Sequence, residues 1–469
     1  MTRLRSHLTA ASCGLGLFWA WCYCLWFVPN IYTGSIVVPP GENWSWLVVL
    51  GSASLVHFIL PWMLKTRRLS SLRWLRYAVP IATCIGTVGI ELTERAVPSM
   101  ALYYSSAVVC GVSSAFLLHL WGDHYAATRN GDAESITLGF GVVVLASIIA
   151  TSFLPTELSN AYVAFIPIAS GVLLVREQRR VDTSSYPALL PKASRKTSRN
   201  AIVKVCLIAF TACVICTFMW AIVPLDQLPL GYDAMALGVA AGAVLMIVAA
   251  LPKLLFNEKM PTARILTWML VLAAFGIALY LAGGSELLMA SYMASMASSV
   301  ALDVLLATYF VALIVKGYVA SSTAFGYSEG FICAGMLVGN LLRNGLAASG
   351  LLNGQGMLDI CLLFMCALIL LVVLLNDQQR SIHEIMTAPR KPSALERHAA
   401  AIADEFKLSA REFEILELLG QGLTAQGIAK RMVISPFTVQ THIKHIYQKM
   451  DIHSRTELLD YLTLRQSET

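Results

Sequence analysis

The sequence predicts an all-α protein in two parts: a polytopic membrane helix bundle of about twelve spans, arranged 6+6, and a C-terminal four-helix domain. Hydrophobic residues make up 57% of the 469-residue chain and charged residues only 13%, whereas soluble domains carry about 25% charged residues. Membrane spans of roughly 20 apolar residues each account for such a composition. After Leu375 the sequence turns polar, and helix-start signals follow at short intervals.

Twelve apolar segments are long enough to cross a membrane. The first is interpreted as a retained helix and not a cleaved signal peptide, because it is long and is followed by bulky aromatic residues. The predicted spans cover approximately residues 8–28, 44–64, 75–92, 99–121, 136–154, 159–175, 202–223, 231–252, 263–283, 292–315, 326–343 and 357–375.

The charges of the connecting segments predict the orientation of these spans. With the N-terminus placed inside, the inside segments hold twenty Lys and Arg residues and the outside loops only Arg95 and Arg343. Positive residues accumulate on the cytoplasmic side of bacterial membrane proteins. The asymmetry therefore predicts a cytoplasmic (inner) membrane protein with both termini in the cytoplasm.

The spans form two sets of six around a long basic loop at residues 176–201. This plan resembles the major facilitator superfamily, whose two halves are pseudo-symmetric, and the resemblance covers residues 8–375. The loop between the second and third spans departs from the family, because residues 65–73 lack its usual Gly/Asp/Arg signature. The departure weakens the case for transport but not for the fold. Small residues at helix-packing spacing, Gly238/Gly242 and Gly335/Gly339, predict close helix contacts.

Ionisable residues inside spans are costly and therefore indicate candidate functional sites. Asp303 lies near the middle of the tenth span and is the leading candidate for lining a ligand pocket, with a structural hydrogen bond as the alternative. The candidate ligand-binding residues are Asp303, Glu329, Glu91 and His57. Glu91 and His119 lie near predicted span ends, where a solvated role is expected. The aromatic residues at span ends, Trp44, Trp46, Trp121 and Tyr162, are expected to anchor the protein at the membrane interface.

The C-terminal region has explicit helix-start signals. Capping boxes, in which a hydroxyl and a carboxylate satisfy backbone donors reciprocally, are predicted at Ser393–Glu396, Ser409–Glu412 and Ser454–Glu457. Ser435 followed by Pro436 places an N-cap before a proline at the first helical position. Apolar residues at helical spacing follow each signal, which predicts short helices that share one core.

Two of these helices, separated by a tight turn at residues 433–435, form a predicted helix-turn-helix whose second helix enters the DNA major groove. Gln can pair with adenine, Thr can contact a thymine methyl group, and Lys can reach guanine or phosphate. The candidate DNA-binding residues are Lys430, Thr438, Val439, Gln440, Thr441, His442 and Lys444. Between residues 430 and 455, five basic residues including Lys449 outnumber the single acidic residue, Asp451, which fits a phosphate-facing surface.

The C-terminal pattern resembles the LuxR-type helix-turn-helix family over about the last 60 residues. The matching positions are Leu408–Leu416, Gly422, Ile428–Ala429, Ile434–Ser435, Thr438–His442, Lys449–Met450 and Arg455–Leu458. The resemblance implies a four-helix DNA-binding module that dimerises through its last helix. Three positions depart from the family pattern: Gln440 replaces a usual Lys, Gly427 a usual Glu and Asp451 a usual Gly.

The whole chain resembles one-component, twelve-span LuxR-type regulators of some gut Actinobacteria. We expect a transmembrane sensor bundle (1–375), a cytoplasmic linker with a lead-in helix (376–403) and the DNA-binding domain (404–469). The expected partners are double-stranded promoter DNA, the lipid bilayer and an unknown small molecule, with a homodimer on DNA. The alternative is a transporter with a regulatory DNA-binding tail. No cofactor, metal site or catalytic residue is predicted, since no nucleophile–base pair or phosphate-binding loop has usable spacing.

Overall fold

The predicted all-α architecture is confirmed in the described part of the chain, whose residues form helices and no strand. The computed structural model describes residues 8–32, 44–64, 68–97, 99–128, 133–179, 192–224, 227–228, 230–256, 262–283, 285–316, 318–352, 354–387, 394–420, 425–432, 434–454 and 457–458. The helices are α1 (Ala10–Phe27), α2 (Trp44–Leu64), α3 (Leu75–Arg95), α4 (Met100–Thr128), α5 (Ala133–Phe153), α6 (Thr156–Gln178), α7 (Lys192–Ile222), α8 (Asp233–Phe256), α9 (Thr262–Ala282), α10 (Ser285–Val315), α11 (Ser321–Ala348), α12 (Gln355–Thr387), α13 (Ala394–Glu405), α14 (Ala410–Gly420), α15 (Ala425–Met432) and α16 (Pro436–Met450).

Within the described residues, the twelve helices α1–α12 are long and apolar enough to span a membrane, as predicted. Several of them extend past their predicted ends, among them α7, which begins at Lys192 instead of 202 and so includes part of the predicted loop at 176–201. Helix α4 continues from residue 121 to Thr128, α10 begins at Ser285 instead of 292, and α12 continues from 375 to Thr387. Hydropathy marks the apolar part of a helix, whereas the helix itself can continue through polar residues. The end of α12 lies just before Pro389, and a proline disfavours the helical conformation of the residue that precedes it.

The two sets of six helices repeat one packing scheme. Helix α1 packs against α5 as α7 packs against α11, and α3 packs against α4 and α6 as α9 packs against α10 and α12. The two halves meet where α2 packs against α11 and where α5 packs against α8. The 6+6 arrangement predicted from the sequence is therefore present as an internal pseudo-symmetry.

Helix α10 is the central helix of the bundle, since 94% of its apolar 18-residue segment is buried, against 22% of the corresponding segment of α12. The predicted small-residue contacts are found. A Cβ atom on Gly335 would lie 2.7 Å from the Phe210 carbonyl oxygen, and one on Gly339 would lie 2.6 Å from that of Val214. Helices α7 and α11 are therefore in backbone contact at these two glycines.

The helices α13–α16 share a second core, separate from that of the bundle. Its fully buried residues include Ile402, Ile415, Leu416, Ile428, Val439 and Ile446. The Ser409–Glu412 capping box is confirmed: the Ser409 N–H donates to Glu412 Oε2 at 2.7 Å, and the Glu412 N–H donates to Ser409 Oγ at 3.3 Å. Ser393 and most of the predicted last helix lie outside the described residues, as does the side chain of Glu396.

At the third predicted box the Glu457 N–H donates to Ser454 Oγ at 3.2 Å. The Glu457 carboxylate accepts the His453 N–H at 2.8 Å, which is one residue before the predicted partner. The hydroxyl and the carboxylate still satisfy two backbone donors.

Candidate DNA-binding surface and membrane cavity

Helix α16 begins where the sequence predicts. Ser435 has an extended backbone (φ −72°, ψ 146°), and its hydroxyl oxygen accepts the Thr438 N–H at 3.0 Å. Pro436 occupies the first helical position, where its missing N–H has no intrahelical partner to lose. The helix starts at a fixed residue, and its first turns therefore project a defined set of side chains.

One face of α16 is buried, and Val439, one of the predicted DNA-binding residues, lies on it. Val439 and Ile446 are fully buried, and Met450 is nearly so. These residues recur at helical spacing and pack into the core of the domain. Val439 therefore has no surface to offer to DNA, because its position on the buried stripe decides its role.

The opposite face of α16 is exposed and carries Gln440, Thr441 and Lys444. Thr438 is also exposed, and its hydroxyl pairs with that of Ser435 at 2.8 Å. His442 is half-buried at the edge of this face. The exposed face thus presents amide, hydroxyl and ammonium groups from adjacent turns. The side chain of Lys430 lies outside the described residues.

Phe437 is a residue that the sequence analysis missed. It is the first side chain after Pro436, and it is 78% exposed. It lies one turn before Gln440 and Thr441, on the exposed face of the helix. The sequence contained the signal, since 437 falls out of register with the apolar stripe at 439, 446 and 450.

Lys449 does not belong to the phosphate-facing surface on which the sequence analysis placed it. Its ammonium donates to Glu412 Oε2 at 2.7 Å and to the Lys407 carbonyl oxygen at 3.2 Å. The Glu412 carboxylate is 4% exposed and also accepts the Ser409 N–H. Burial alone would raise the pKa of Glu412, but the hydrogen bonds from Lys449 and Ser409 prevail and lower the pKa from 4.5 to about 2. Lys449 therefore holds α16 against the start of α14.

The membrane bundle contains a cavity of about 100 Å³ between its two halves. Helices α1, α2 and α4 line it from one half, and α7, α10 and α11 from the other. Such a volume holds several water molecules or one small organic molecule. Eight of the described lining residues are aromatic: Phe18, Trp19, Trp21, Tyr23, Trp26, Phe27, Trp46 and Trp220.

Three of the four predicted ligand-binding residues, Asp303, Glu329 and His57, line this cavity. Asp303 accepts a hydrogen bond from the Tyr23 hydroxyl on Oδ2 at 3.0 Å. Its Oδ1 atom and Oε1 of Glu329 are buried and have no hydrogen-bond partner among the described residues. Each of these two carboxyl groups therefore has an oxygen atom that can still accept a hydrogen bond.

Glu91 and His119 are both buried, although their positions near predicted span ends indicated a solvated role. Glu91 lies on α3, which packs against α4 and α6, and it is not among the described residues that line the cavity. His119 is buried, because α4 continues past the predicted end at 121. Its Nε2 lies 3.2 Å from Nδ1 of His57, so that one of the two nitrogens donates a hydrogen bond to the other.

The four predicted interface anchors differ in burial. Trp44 is 42% exposed, whereas Trp46 is 7% exposed and lines the cavity. Trp121 is fully buried and donates its indole N–H to Ser170 Oγ at 3.0 Å. Tyr162 is half-buried, with its hydroxyl 2.9 Å from that of Ser147. Two of the four residues are therefore internal: Trp121 because α4 continues to Thr128, and Trp46 because its side chain faces the cavity and not the lipid.

Phe27, Trp46 and Trp220 form an aromatic cluster at one end of the cavity. Their ring centroids lie 5.6–5.8 Å apart, within the range that favours edge-to-face contact between aromatic rings. Phe27 and Trp46 belong to the first half of the bundle and Trp220 to the second. The cluster therefore brings aromatic rings from both halves into contact beside the cavity.

Hydrogen bonds cross between the two halves at three levels. Tyr23 donates to Asp303, and the Ser54 hydroxyl donates to the Gly330 carbonyl oxygen at 3.1 Å. At the end of the bundle nearest the start of α11, Asp123 accepts the Ser321 hydroxyl and, at 2.9 Å, the Ser70 N–H. The sequence analysis did not identify Asp123, because the fourth span was expected to end at residue 121.

Comparison with known proteins identifies the C-terminal domain. Residues 407–462 match the family model described as bacterial regulatory proteins, luxR family. An HTH-type transcriptional regulator of Mycobacterium bovis, Mb0914c, is 42% identical over 60 residues, which are 13% of this chain and 7% of that protein. The nitrate/nitrite response regulator protein NarL of Escherichia coli K12 is 38% identical over 74 residues, 16% of this chain and 34% of NarL. The chain thus spans about a third of NarL and less than a tenth of Mb0914c.

The membrane bundle has the fold of major facilitator transporters. The human organic anion transporter MFSD10 superposes with a TM-score of 0.56 at 12% identity, covering 79% of this chain and 99% of that one. The proton:xylose symporter XylE, of the major facilitator superfamily, gives 0.53 at 12% identity over 79% and 95%. This chain therefore joins a membrane domain of major-facilitator fold to a LuxR-family helix-turn-helix domain, as both sequence resemblances predicted.

Proposed function

We propose that this chain is a membrane-bound one-component transcription regulator. A small molecule occupies the cavity between the two halves, and the C-terminal domain binds double-stranded promoter DNA as a homodimer. The observation that carries the proposal is that a helix with an exposed polar face occurs in one chain with a cavity that holds two incompletely paired carboxyl groups.

The exposed face of α16 supports the DNA-binding half of the proposal. Gln440 can pair bidentately with adenine, Thr441 can contact a thymine methyl group, and Lys444 can reach guanine or phosphate. Phe437 adds an exposed apolar ring at the end of the helix that enters the groove first, where a thymine methyl group is a suitable partner. Thr438, His442 and Lys430 are proposed to contact the backbone phosphates.

The charge of the connecting segments supports the orientation. An inside location for the twenty basic residues of alternate loops brings the DNA-binding domain to the cytoplasmic face of the inner membrane. The domain then reaches chromosomal DNA without leaving the membrane.

The hydrogen bonds across the halves support the sensing role. A ligand shifts a conformational equilibrium only if it binds the two states with different affinity. The cavity is built from both halves, so that any rocking of one half against the other changes its shape. A ligand near Asp303 also contacts the side chains of the Tyr23–Asp303 hydrogen bond, which joins the two halves. Occupancy is thereby coupled to the relative position of the halves.

The DNA-binding half is tested with the full-length protein in nanodiscs and a fragment of its own upstream region. The double variant Gln440→Ala, Lys444→Ala should lose sequence preference, since each good bidentate base contact contributes about 1–3 kcal/mol of discrimination. Arg411→Ala, an exposed residue of α14 that pairs with Glu414, is the matched control and should bind normally. Full specificity in the double variant would refute the assignment of α16.

A second candidate function is transport, because the bundle has a transporter fold and its cavity is lined by both halves. Uptake of a labelled compound into vesicles, lost in Asp303→Asn but kept in Gln440→Ala, Lys444→Ala, would support it. Changes in transcription on ligand addition without any uptake would support sensing alone.

A further inference from the structure

We infer that the ligand of the cavity is a small organic cation, a quaternary ammonium or a protonated amine with an apolar body. The inference rests on the proposed sensing function for its biological meaning, and it concerns the chemistry of the cavity alone. It follows from three features of the lining: its charge, its unsatisfied acceptors and its aromatic surface.

The charge of the described lining residues has one sign. Asp303 and Glu329 are the acidic members, and neither a lysine nor an arginine is among them. His57, also in the lining, is engaged with His119, and an imidazolium inside an apolar bundle is itself costly. A ligand anion would therefore meet like charge, and a neutral ligand would leave the carboxyl groups uncompensated.

The carboxyl groups keep acceptor atoms free for a ligand. Asp303 and Glu329 are 7% and 5% exposed, yet Oδ1 of the first and Oε1 of the second have no hydrogen-bond partner among the described residues. A buried carboxylate without a partner is strongly unfavourable, and a bound cation removes that cost. A protonated amine can donate to these atoms, whereas a quaternary ammonium compensates the charge without a hydrogen bond.

The aromatic rings supply the rest of the site. Trp19, Tyr23 and Trp26 line the cavity from α1, and Trp46 and Trp220 line it from the facing helices. Aromatic faces attract cations through the ring quadrupole, and cages of such rings bind quaternary ammonium groups. The same faces repel anions. A cavity of about 100 Å³ limits the ligand to a small molecule.

The test uses the full-length protein in nanodiscs, titrated by calorimetry and by tryptophan fluorescence. The probes are tetramethylammonium, benzylamine and choline, with 3,3-dimethylbutan-1-ol as the uncharged isostere of choline and 3,3-dimethylbutanoate as the anion of similar shape. We expect at least one cation to bind at least about tenfold more tightly than the uncharged isostere and the anion, since desolvated aromatic faces attract a cation but not a neutral group of the same shape. This comparison needs no variant and so does not depend on a variant folding.

The variants Asp303→Asn and Glu329→Gln keep the shape of each side chain and should each weaken cation binding about tenfold or more, since a buried charge pair is lost. Glu91→Gln removes a buried carboxylate from α3, outside the cavity lining, and should bind like the parent protein. Equal binding of the uncharged isostere, a preference for the anion, or no binding by any cation would overturn the inference.

The outcome also separates the inference from the proposed function. Cation binding that leaves DNA binding and transcription unchanged supports the ligand class and rejects the sensor. A transcriptional response to an anion or an uncharged compound, with no response to the cations, keeps the sensor and rejects the ligand class.

Discussion

At the scale of single residues, Glu412 connects two parts of the DNA-binding domain. Its carboxylate accepts the Ser409 N–H at the start of α14 and the Lys449 ammonium from the end of α16. Because its pKa is lowered from 4.5 to about 2, its contribution to folding is complete above about pH 4.5. The contribution is lost as the pH falls from there toward about 2.

The variant Lys449→Met should destabilise the domain at neutral pH by about 1–3 kcal/mol, because the buried carboxylate loses its charged partner. Its loss of stability on acidification between pH 4.5 and 2 should also be smaller than in the parent. Urea denaturation of the fragment 394–469, which contains the core shared by α13–α16, measures both effects. Lys444→Met makes the same change at an exposed position of α16 and serves as the control. Equal pH profiles for Lys449→Met and the parent would contradict the role of this ion pair.

Asp451 ends α16 in the left-handed conformation, with φ 52° and ψ 45°. This backbone geometry explains the glycine that the family pattern has there, because a side chain strains the left-handed conformation. The variant Asp451→Gly should stabilise the domain by about 0.5–1 kcal/mol. Asp451→Ala also removes the carboxylate but keeps a Cβ atom, and it should not stabilise. Thermal unfolding of the same fragment distinguishes the two, and equal effects would point to the carboxylate instead of the backbone.

Individual residues show where the sequence was sufficient. The capping serine at 435, the box at Ser409–Glu412 and the buried stripe of α16 follow from local spacing, and the structure contains each of them. Contacts between distant residues do not follow from spacing. Tyr23 and Asp303 are 280 positions apart, and their hydrogen bond depends on how ten helices assemble. The sequence could nominate Asp303 by the cost of its charge, but not its partner.

At the scale of helices, hydropathy predicted the number of spans correctly but misplaced several ends. Residues 122–127 at the end of α4 are all buried, although Asp123 and His124 lower the local hydropathy. Trp121 was misinterpreted for the same reason, since an aromatic residue near a span end is interfacial only if the helix stops there. Trp46 lies at the true start of α2 but faces the cavity. Burial against neighbouring helices is a property of the assembled bundle.

The contact between α7 and α11 gives a prediction for the bundle. A side chain on Gly339 would collide with the Val214 backbone and with Thr217, 2.6 and 3.0 Å from its Cβ. Gly339→Val should therefore lower the unfolding temperature in detergent, since overpacking costs about 1–3 kcal/mol. Gly345→Val lies on the same helix, where nothing lies within 4 Å of a Cβ, and it is the matched control. Equal unfolding temperatures for the two variants would show that α7 and α11 do not pack this closely.

At the scale of the whole molecule, the connection between the two domains is short. Helix α12 packs against α9 and α7, and only six residues separate its end at Thr387 from the start of α13 at Ala394. If α12 moves with its half of the bundle, this short connection would transmit the movement to the DNA-binding domain. Two such domains, brought together or kept apart, would differ in effective concentration on an operator with two half-sites. On this view the bundle controls how the DNA-binding domains are presented and leaves their chemistry unchanged.

Replacing residues 1–387 with an unrelated, constitutively dimeric soluble protein tests this mechanism. If the bundle controls presentation only, the fusion should occupy the operator in footprinting without ligand and should regulate the genes that the full-length protein regulates. The same fusion carrying Gln440→Ala and Lys444→Ala should lose the footprint, which ties the effect to α16. A monomeric fusion should bind much more weakly, because the second half-site then has to be filled by an independent molecule. If the operator is protected only when the native bundle is present, the membrane domain contributes to DNA recognition itself, and control by presentation is refuted.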